Sequence, residues 1–331
     1  MTTRIGINGF GRIGRAYLRA ALRSSADVEV VAVNDIADAA TLASLLEWDS
    51  VAGHLDGVHV DGEAIVVDGA RIRVTAQREP ADIPWGEDGV DVVVESTGRF
   101  TDAASARRHL AAGARKVIIS APASGDVPSV VLGVNDDAIV ATEDVFSNGS
   151  CTTNCLAPMA KVLHEAFGIE SGLMTTIHAY TSDQRLHDAP HRDLRRARAA
   201  ALSTIPTSSG AARTIGRIIP ELDGKLTGLA LRVPVPVGSI TDLTVALTRP
   251  ASVEEVNAAF RAAADAPELS PYLAYSEAPI VSADIVGNPH SAIFDAPLTQ
   301  AIGDQVKVFA WYDNEWGFAN RLVELSQRIA A

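Results

Sequence analysis

The sequence predicts an α/β protein of two domains, the first built on parallel strands and the second, α+β, on a mostly antiparallel sheet. Three observations carry this. Strand-like and helix-like stretches alternate from the start, the pattern of parallel strands joined by helical crossovers. After Cys151 the texture changes to longer strands separated by helices or loops. A chain of 331 residues also exceeds what one ordinary core serves.

The elements follow in order. Ile5–Asn8 reads as a strand, Arg12–Arg23 as a helix and Val28–Asn34 as a second strand. Arg71–Ala76 is another, and Val90–Glu95 is the near-continuous apolar run of a strand buried on both faces. Thr101–Ala112 reads as a helix, with Lys116–Ser120 and Asp144–Ser147 as strands. Beyond Cys151 the long strands are Leu173–Tyr180, Lys225–Val233, Ile240–Thr248 and Val306–Tyr312. Between the first two lies a polar stretch, Thr181–Ser203, with a basic run from Arg192 to Arg198; a loop that long is usually functional. Trp316–Ile329 has helical spacing, and no internal repeat is visible.

Composition limits the function classes. Lys and Arg number 28 against 41 Asp and Glu, a net charge of −13. That balance disfavours nucleic acid and anionic membranes as general partners, so an anionic substrate needs a local basic pocket. No leader-like segment precedes the first strand and no apolar run reaches membrane-spanning length. Cys151 and Cys155 are the only cysteines, too few to staple the fold, and a reducing cytoplasm fits best.

Gly9, Gly11 and Gly14 form a G-x-G-x-x-G that follows a strand and opens a helix. Asp35 answers it about 20 residues on, at the end of the next strand. The first glycine permits the turn, the second lets backbone approach a pyrophosphate, and the third lets helix and strand pack closely. Unpaired N–H groups and the helix dipole then hold the pyrophosphate. A carboxylate at Asp35 accepts from ribose hydroxyls and repels a 2′-phosphate, which favours NAD over NADP. A Rossmann-type NAD-binding domain follows.

Asn148-Gly149-Ser150-Cys151-Thr152-Thr153-Asn154-Cys155 joins a strand to a helix whose apolar face is Leu156, Met159, Leu163 and Phe167. Ser150 as N-cap places Cys151 in the first turn, where the helix dipole and a neighbouring histidine lower a thiol pKa. Only the thiolate attacks carbonyls efficiently. Cys155, one turn on, reads as an inert core residue. A metal site would need a second ligand pair, which is missing, so no metal is expected. His178 stands near the end of its strand. A strand histidine alone is more often structural than catalytic, and sequence does not place it against Cys151.

Together these residues resemble phosphorylating glyceraldehyde-3-phosphate dehydrogenases. The resemblance rests on Asn8–Arg15, Glu95–Gly98, Ser150–Cys155, His178–Thr181, Asp193–Arg198, Lys225–Gly228 and Trp311–Glu315, in the family's order along essentially the whole chain. It implies that Cys151 attacks the aldehyde of glyceraldehyde 3-phosphate and that His178 activates the thiol and accepts the hydroxyl proton. Hydride leaves for NAD, and inorganic phosphate cleaves the thioester to 1,3-bisphosphoglycerate. Thr181, Asp183 and Arg232 match the pocket for the substrate phosphate. Ser150, Thr152, Arg196, Ser209 and Gly210 match the attacking-phosphate side. For the cofactor the matching positions are Arg12, Ile13, Asp35, Arg78, Ser120 and Asn314, the last holding the carboxamide. The resemblance also implies a homotetramer with the long loop at subunit contacts. It sets an NAD-binding domain over residues 1–150, a catalytic domain over 151–315, and a last helix, 316–331, that returns to the first domain.

The chain departs from the family pattern at Gly149, usually alanine, and at Ser209, usually threonine. Val235, Val237 and Gly238 depart too, as does Phe318, usually tyrosine. Ala189 matches the dual-cofactor branch and Pro190 the NAD branch. Lineage drift accounts for such changes; so does a pocket reshaped against an electrophilic inhibitor. Erythrose-4-phosphate dehydrogenase is the nearest alternative enzyme, although Thr207–Ala212 keeps the phosphorylating pattern. A non-catalytic binding protein on this scaffold is the other alternative, opposed by the presence of Cys151, His178 and Arg232.

Overall fold

The first strand, β1 (Thr3–Asn8), is closed to solvent except at Arg4, as a strand flanked on both edges and covered on both faces must be. A computed structural model describes residues 2–330. β1 is followed by α1 (Arg12–Arg23), β2 (Val28–Asn34), α2 (Ala39–Glu47) and a small hairpin of β3 (Trp48–Asp49) and β4 (Gly53–His54). Next come a meander of β5 (Val58–Asp61), β6 (Ala64–Val67) and β7 (Ala70–Thr75), then β8 (Val92–Glu95), α3 (Ala103–Ala111), β9 (Lys116–Ile119) and β10 (Val145–Ser147).

These strands lie in the order β10-β9-β8-β1-β2-β7-β6-β5. Pairing is parallel from β10 to β7 and antiparallel for β6 and β5. The parallel part has the strand order of the doubly wound dinucleotide fold, and the order reverses at β1, where such folds bind their ligand. The antiparallel edge was not foreseen from the sequence. Its turns pass through Gly57, Gly62, Asp68 and Gly69, all in the left-handed region, which reverses the chain without a helical crossover.

The second set comprises α4 (Cys151–Phe167), β11 (Ile169–Ala179), β12 (Ile205–Ser208), α5 (Ala211–Ile218), β13 (Leu226–Val233), β14 (Ser239–Leu247) and α6 (Val253–Asp265). It continues with β15 (Leu273–Ser276), β16 (Ala292–Asp295), β17 (Gln300–Ile302), β18 (Gln305–Tyr312) and α7 (Trp316–Ala330). Its sheet runs β12-β13-β11-β14-β18-β16-β15, with β17 beside β18. Only β11 with β13 and β15 with β16 are parallel, so the sheet is mixed and mostly antiparallel. β14 alternates buried and half-buried residues along its length, the period of a strand with one face on a core. Leu156, Met159 and Leu163 of α4 enter that core with Ile215, Phe260 and Leu243, and Phe260 stacks on Phe294 at 3.8 Å. Truncating such a side chain, as in Leu163→Ala, costs about 2–5 kcal/mol.

The backbone separates into two compact units. One runs to Val130, resumes over Asp137–Gly149 and takes in the last helix from Ala319; the other holds Val131–Asp136 and Ser150–Phe318. Residues 131–136 leave the first domain because Val131 is a member of the second unit's core. The helix from Ala319 is tied to its own unit by the buried Tyr17 hydroxyl, which donates to Ser326 Oγ at 3.0 Å. Among the described residues, no helix is long and apolar enough to cross a membrane.

Candidate active site

Cys151 opens α4. Ser150 is extended and accepts from the Thr153 N–H through Oγ at 3.0 Å, so it is the N-cap that the sequence suggested. The residue before it, Gly149, has φ 62°, a left-handed turn that L side chains enter at a cost. Strand, left-handed glycine, cap and cysteine together aim Sγ from the first turn, beside unpaired backbone N–H groups.

Cys151 Sγ lies 3.3 Å from His178 Nε2. His178 comes from the end of β11, and the parallel register with β13 pairs it with Arg232. The guanidinium is therefore placed by the sheet. Its Nη1 donates to Ala179 O at 3.0 Å and to Thr181 Oγ1 at 3.2 Å, and it stands 2.8 Å from His178 Nδ1. The Ala179 carbonyl is 2.7 Å from that same Nδ1. A proton on Nδ1 answers the carbonyl and leaves Nε2 as acceptor for the thiol. Arg232 pushes against that proton. His178 is buried, edge-on to Tyr312 at 5.9 Å.

The electrostatics modify the sequence expectation. Burial pushes the Cys151 thiol up from its ordinary value; the Arg232 guanidinium and the N–H groups of Thr152 and Cys151 pull it down without fully offsetting burial. Burial, then Arg232, lowers His178 to about 3. Each residue is thus held neutral when the other is neutral. Passing the proton from Sγ to Nε2 creates two opposite charges in contact, which burial penalises far less than either alone. The thiol expected to be lowered by helix position and a neighbouring histidine is instead raised on its own, and its ionisation becomes a property of the pair. Cys155 has no such partner: its sulfur meets Met159 Sδ at 3.9 Å and Ala310 O at 3.7 Å, and burial raises it to about 12.

Thr181 donates to Asp183, which also takes the Arg196 guanidinium. Partial burial works against the Asp183 charge, but the Thr181 hydroxyl with Arg196 and Arg232 outweighs it and holds the carboxyl below its ordinary value. A carboxylate repels phosphate, so Asp183 here aligns donors and is not itself one. Arg196 is braced a second time through Nε to Thr207 Oγ1 at 2.8 Å, and Thr207 donates to Asp193 at 2.7 Å. Ser209 Oγ accepts from Ala211 N at 3.3 Å, and Gly210 is the N-cap of α5 with no side-chain cap. Arg232 Nη2 has no partner among the described residues. Thr152 is placed otherwise: it is buried, with its hydroxyl 2.8 Å from the Tyr312 hydroxyl, which is 2.7 Å from Thr176 Oγ1. Tyr312 was missed from sequence although it sits inside the Trp311–Glu315 motif.

The first unit gathers the glycine positions around an uncapped helix start. Gly11 is the N-cap of α1 and makes no side-chain cap bond, so no side chain of the cap occupies the start of this helix. A Cβ at Gly11 would meet nothing within 4 Å, which leaves room for a pyrophosphate. At Gly14 it would strike the Gly9 carbonyl at 2.4 Å, and at Gly9 the Thr97 N at 2.8 Å, so these two are close approaches. Asp35 accepts from Phe10 N at 2.8 Å and Ala37 N at 3.1 Å, which pins its carboxylate in a cleft shared with Gly9, Arg78, Thr97 and Phe100. These features fit a dinucleotide. Arg12 is turned to an ion pair with Asp49, and Ser120 donates its N–H to Glu95 O at 2.9 Å. A larger open cleft, about 880 Å³, lies along Asp38, Glu63, Arg73 and Glu87 and carries no nucleophile.

In the second unit Asn314 is buried, and its Oδ1 accepts from Gly238 N at 3.2 Å and Ser239 Oγ at 3.0 Å. Its Nδ2 has no hydrogen-bond partner among the described residues and is left as a donor. Among the described residues no group of His, Cys, Asp and Glu could hold a metal.

Comparison with known proteins agrees with this chemistry. Residues 3–103 match the family model "Glyceraldehyde 3-phosphate dehydrogenase, NAD binding domain" and residues 150–314 match "Glyceraldehyde 3-phosphate dehydrogenase, C-terminal domain". The chain is 62% identical over 332 residues to the glyceraldehyde-3-phosphate dehydrogenase of Mycobacterium tuberculosis, covering 98% of each. It is 59% identical over 333 residues to glyceraldehyde-3-phosphate dehydrogenase 2 of Streptomyces arenae, covering 100% of this chain and 99% of that protein.

Proposed function

The chain belongs to the glyceraldehyde-3-phosphate dehydrogenase family, and from that premise we propose a division of labour among its residues. It is an NAD-dependent oxidoreductase that converts glyceraldehyde 3-phosphate, phosphate and NAD to 1,3-bisphosphoglycerate and NADH. The observation that carries the assignment of roles is Cys151 Sγ at 3.3 Å from His178 Nε2.

His178 takes the thiol proton and Cys151 adds to the aldehyde carbon, giving a hemithioacetal. Nε2–H stabilises the oxyanion formed in that addition and gives it its proton. The neutral Nε2 then takes the hydroxyl proton back as the carbon loses hydride and becomes a thioester. Bound NAD supplies the hydride acceptor. Phosphate attacks the thioester carbonyl, the C–S bond breaks, and the thiolate leaves as the acyl phosphate forms. Arg232 and Thr181 hold the substrate phosphate, with Asp183 aligning them. Arg196, Ser209 and Gly210, with Ser150, serve the attacking phosphate; Thr152 supports that side through Tyr312. Gly9, Gly11, Arg12, Ile13, Gly14, Asp35, Arg78 and Ser120 serve NAD, and Asn314 donates to its carboxamide. The working place is the cytoplasm and the working form a homotetramer.

NADH formation from glyceraldehyde 3-phosphate, with and without phosphate and with both cofactors, tests this. Sustained turnover should require phosphate and prefer NAD. Steady turnover without phosphate would point instead to the chemistry of erythrose-4-phosphate dehydrogenase.

A further inference from the structure

Beneath the glycine loop of the first unit lies a hydrogen-bonded chain that no step above uses. Trp85 and His109 are 0% exposed and Glu95 is 1% exposed. Trp85 Nε1 donates to His109 Nδ1 at 3.0 Å. An indole N–H can only donate, so Nδ1 holds a lone pair and the ring proton sits on Nε2. That nitrogen is 3.0 Å from Glu95 Oε2. The other tautomer would set two N–H groups against each other at one end and a lone pair against a carboxylate at the other.

Glu95 is the only formal charge in the cluster and every neighbour donates to it. Oε2 also takes Asn8 Nδ2 at 2.6 Å, and Oε1 takes the Thr97 N–H at 2.8 Å and the Thr97 hydroxyl. With Asn8 Nδ2 committed, Asn8 Oδ1 accepts from Asn34 Nδ2 at 2.8 Å, and Asn34 Oδ1 from Gln77 N at 2.8 Å. Each amide is thereby fixed in one orientation. The far ends of this chain, Asn8, Asn34, Gln77 and Thr97, line the same cleft as Asp35. Gly9 rests against Thr97, and Phe100, which also lines the cleft, stands edge-on to His109 at 6.4 Å.

We propose that Trp85, His109 and Glu95 are positioning residues for the adenosine end of NAD, holding Asn8, Asn34 and Thr97 in the one arrangement that shapes its cleft. The proposal rests on the reading that this cleft takes the adenosine. NAD affinity then depends on the tautomer of a histidine that touches no ligand. A glutamine at 109 can reproduce both bonds, accepting from Trp85 and donating to Glu95; a leucine reproduces neither.

The test measures KM for NAD, inhibition by AMP, KM for the aldehyde, kcat and Tm in full-length His109→Leu and His109→Gln. His109→Leu should raise KM for NAD and weaken AMP about tenfold, with kcat at saturating NAD and aldehyde KM within about twofold. His109→Gln should restore both cofactor values to within about threefold. Trp85→Phe, which removes only the N–H donor from an aromatic core residue, should raise KM for NAD in the same direction and serves if His109→Leu does not fold. A fall in Tm with unchanged NAD and AMP values, in whichever variants fold, shows a merely structural cluster and overturns the proposal. Asp35→Ala separates the two readings. If it leaves KM for NAD unchanged, the assignment of the cleft fails and the relay with it. If it raises KM while His109→Leu does not, the relay alone fails.

Discussion

Cys151 and Cys155 are one helical turn apart, and what divides them is that only Cys151 meets a base. Cys151→Ser should nearly abolish turnover and leave NAD binding intact, since a serine hydroxyl stays protonated where the thiol ionises. Cys155→Ser should keep most activity; equal loss in both variants would remove the distinction. His178→Asn keeps a polar side chain but takes away the proton acceptor, leaving the thiol ionised only by Arg232 and the α4 N–H groups against burial. The pH midpoint for alkylation of Cys151 by iodoacetamide should therefore move up, and kcat should fall roughly 10²–10⁴-fold. An unmoved midpoint would mean that His178 does not share the proton. Asp35 should make kcat/KM higher with NAD than with NADP, because Phe10 N and Ala37 N hold its carboxylate in the cleft and it has not turned away. Comparable values with both cofactors would contradict that. Cys151 and Asp35 were readable as candidates because each lies in a local motif whose chemistry is carried by neighbours in sequence. His178 became one only through the family resemblance, its contact with Cys151 being a product of the fold. The contact of Arg232 with His178 was not readable, since it depends on which strands pair and in which register. Nor was the tie of Thr152 to Tyr312, or the chain from Trp85 to Gln77, which joins residues that only the folded sheet brings together.

At the scale of elements, the helices α1 and α4 and the parallel strands were readable from periodicity and the motifs at their ends. α6 was not, because among its alanines only Val256 and Phe260 are buried, too sparse a stripe to stand out. β15, β16 and β17 are only three or four residues long and β5 is largely exposed, so even β16, buried from Ala292 to Asp295, is too short a run to stand out. The turn into α4 shows what an element demands of one residue. Gly149 departs from the alanine usual in the family, and its φ of 62° supplies a conformational reason for the glycine. Gly149→Ala should cost about 1 kcal/mol in left-handed strain, lowering Tm by about 2–4 °C. If the glycine instead reshapes the pocket against an electrophile, Gly149→Ala should speed inactivation by an epoxide-bearing inhibitor. Equal inactivation rates together with the lower Tm would leave backbone conformation as the whole explanation.

At the scale of the whole molecule, the net charge of −13 means that phosphate meets a repelling surface outside its pockets. The pockets answer with guanidiniums already braced by Asp183, Thr207 and backbone, so little order remains to be imposed when a phosphate arrives. The loop that carries Arg196 is itself held by backbone bonds between Arg185 and both Arg196 and Ala200. Yet it turns Leu186 (81% exposed), Leu194 (81%) and Leu202 (78%) to solvent. A loop ordered by its polar groups while showing three leucines fits a surface that another copy of the chain covers, each such side chain worth about 1.5–3 kcal/mol when fully buried. Light scattering after gel filtration should give four times the 34.8 kDa chain mass. Leu194→Glu should shift that mass down and make Tm depend on protein concentration, as mass action requires when folding and association are linked. Because the same loop positions Arg196, dissociation should also raise the phosphate requirement while Cys151 alkylation stays near the parent rate. A wild-type chain that runs as a monomer at micromolar concentration, or a Leu194→Glu variant with unchanged mass, would remove the loop from the assembly and leave its exposed leucines without a role.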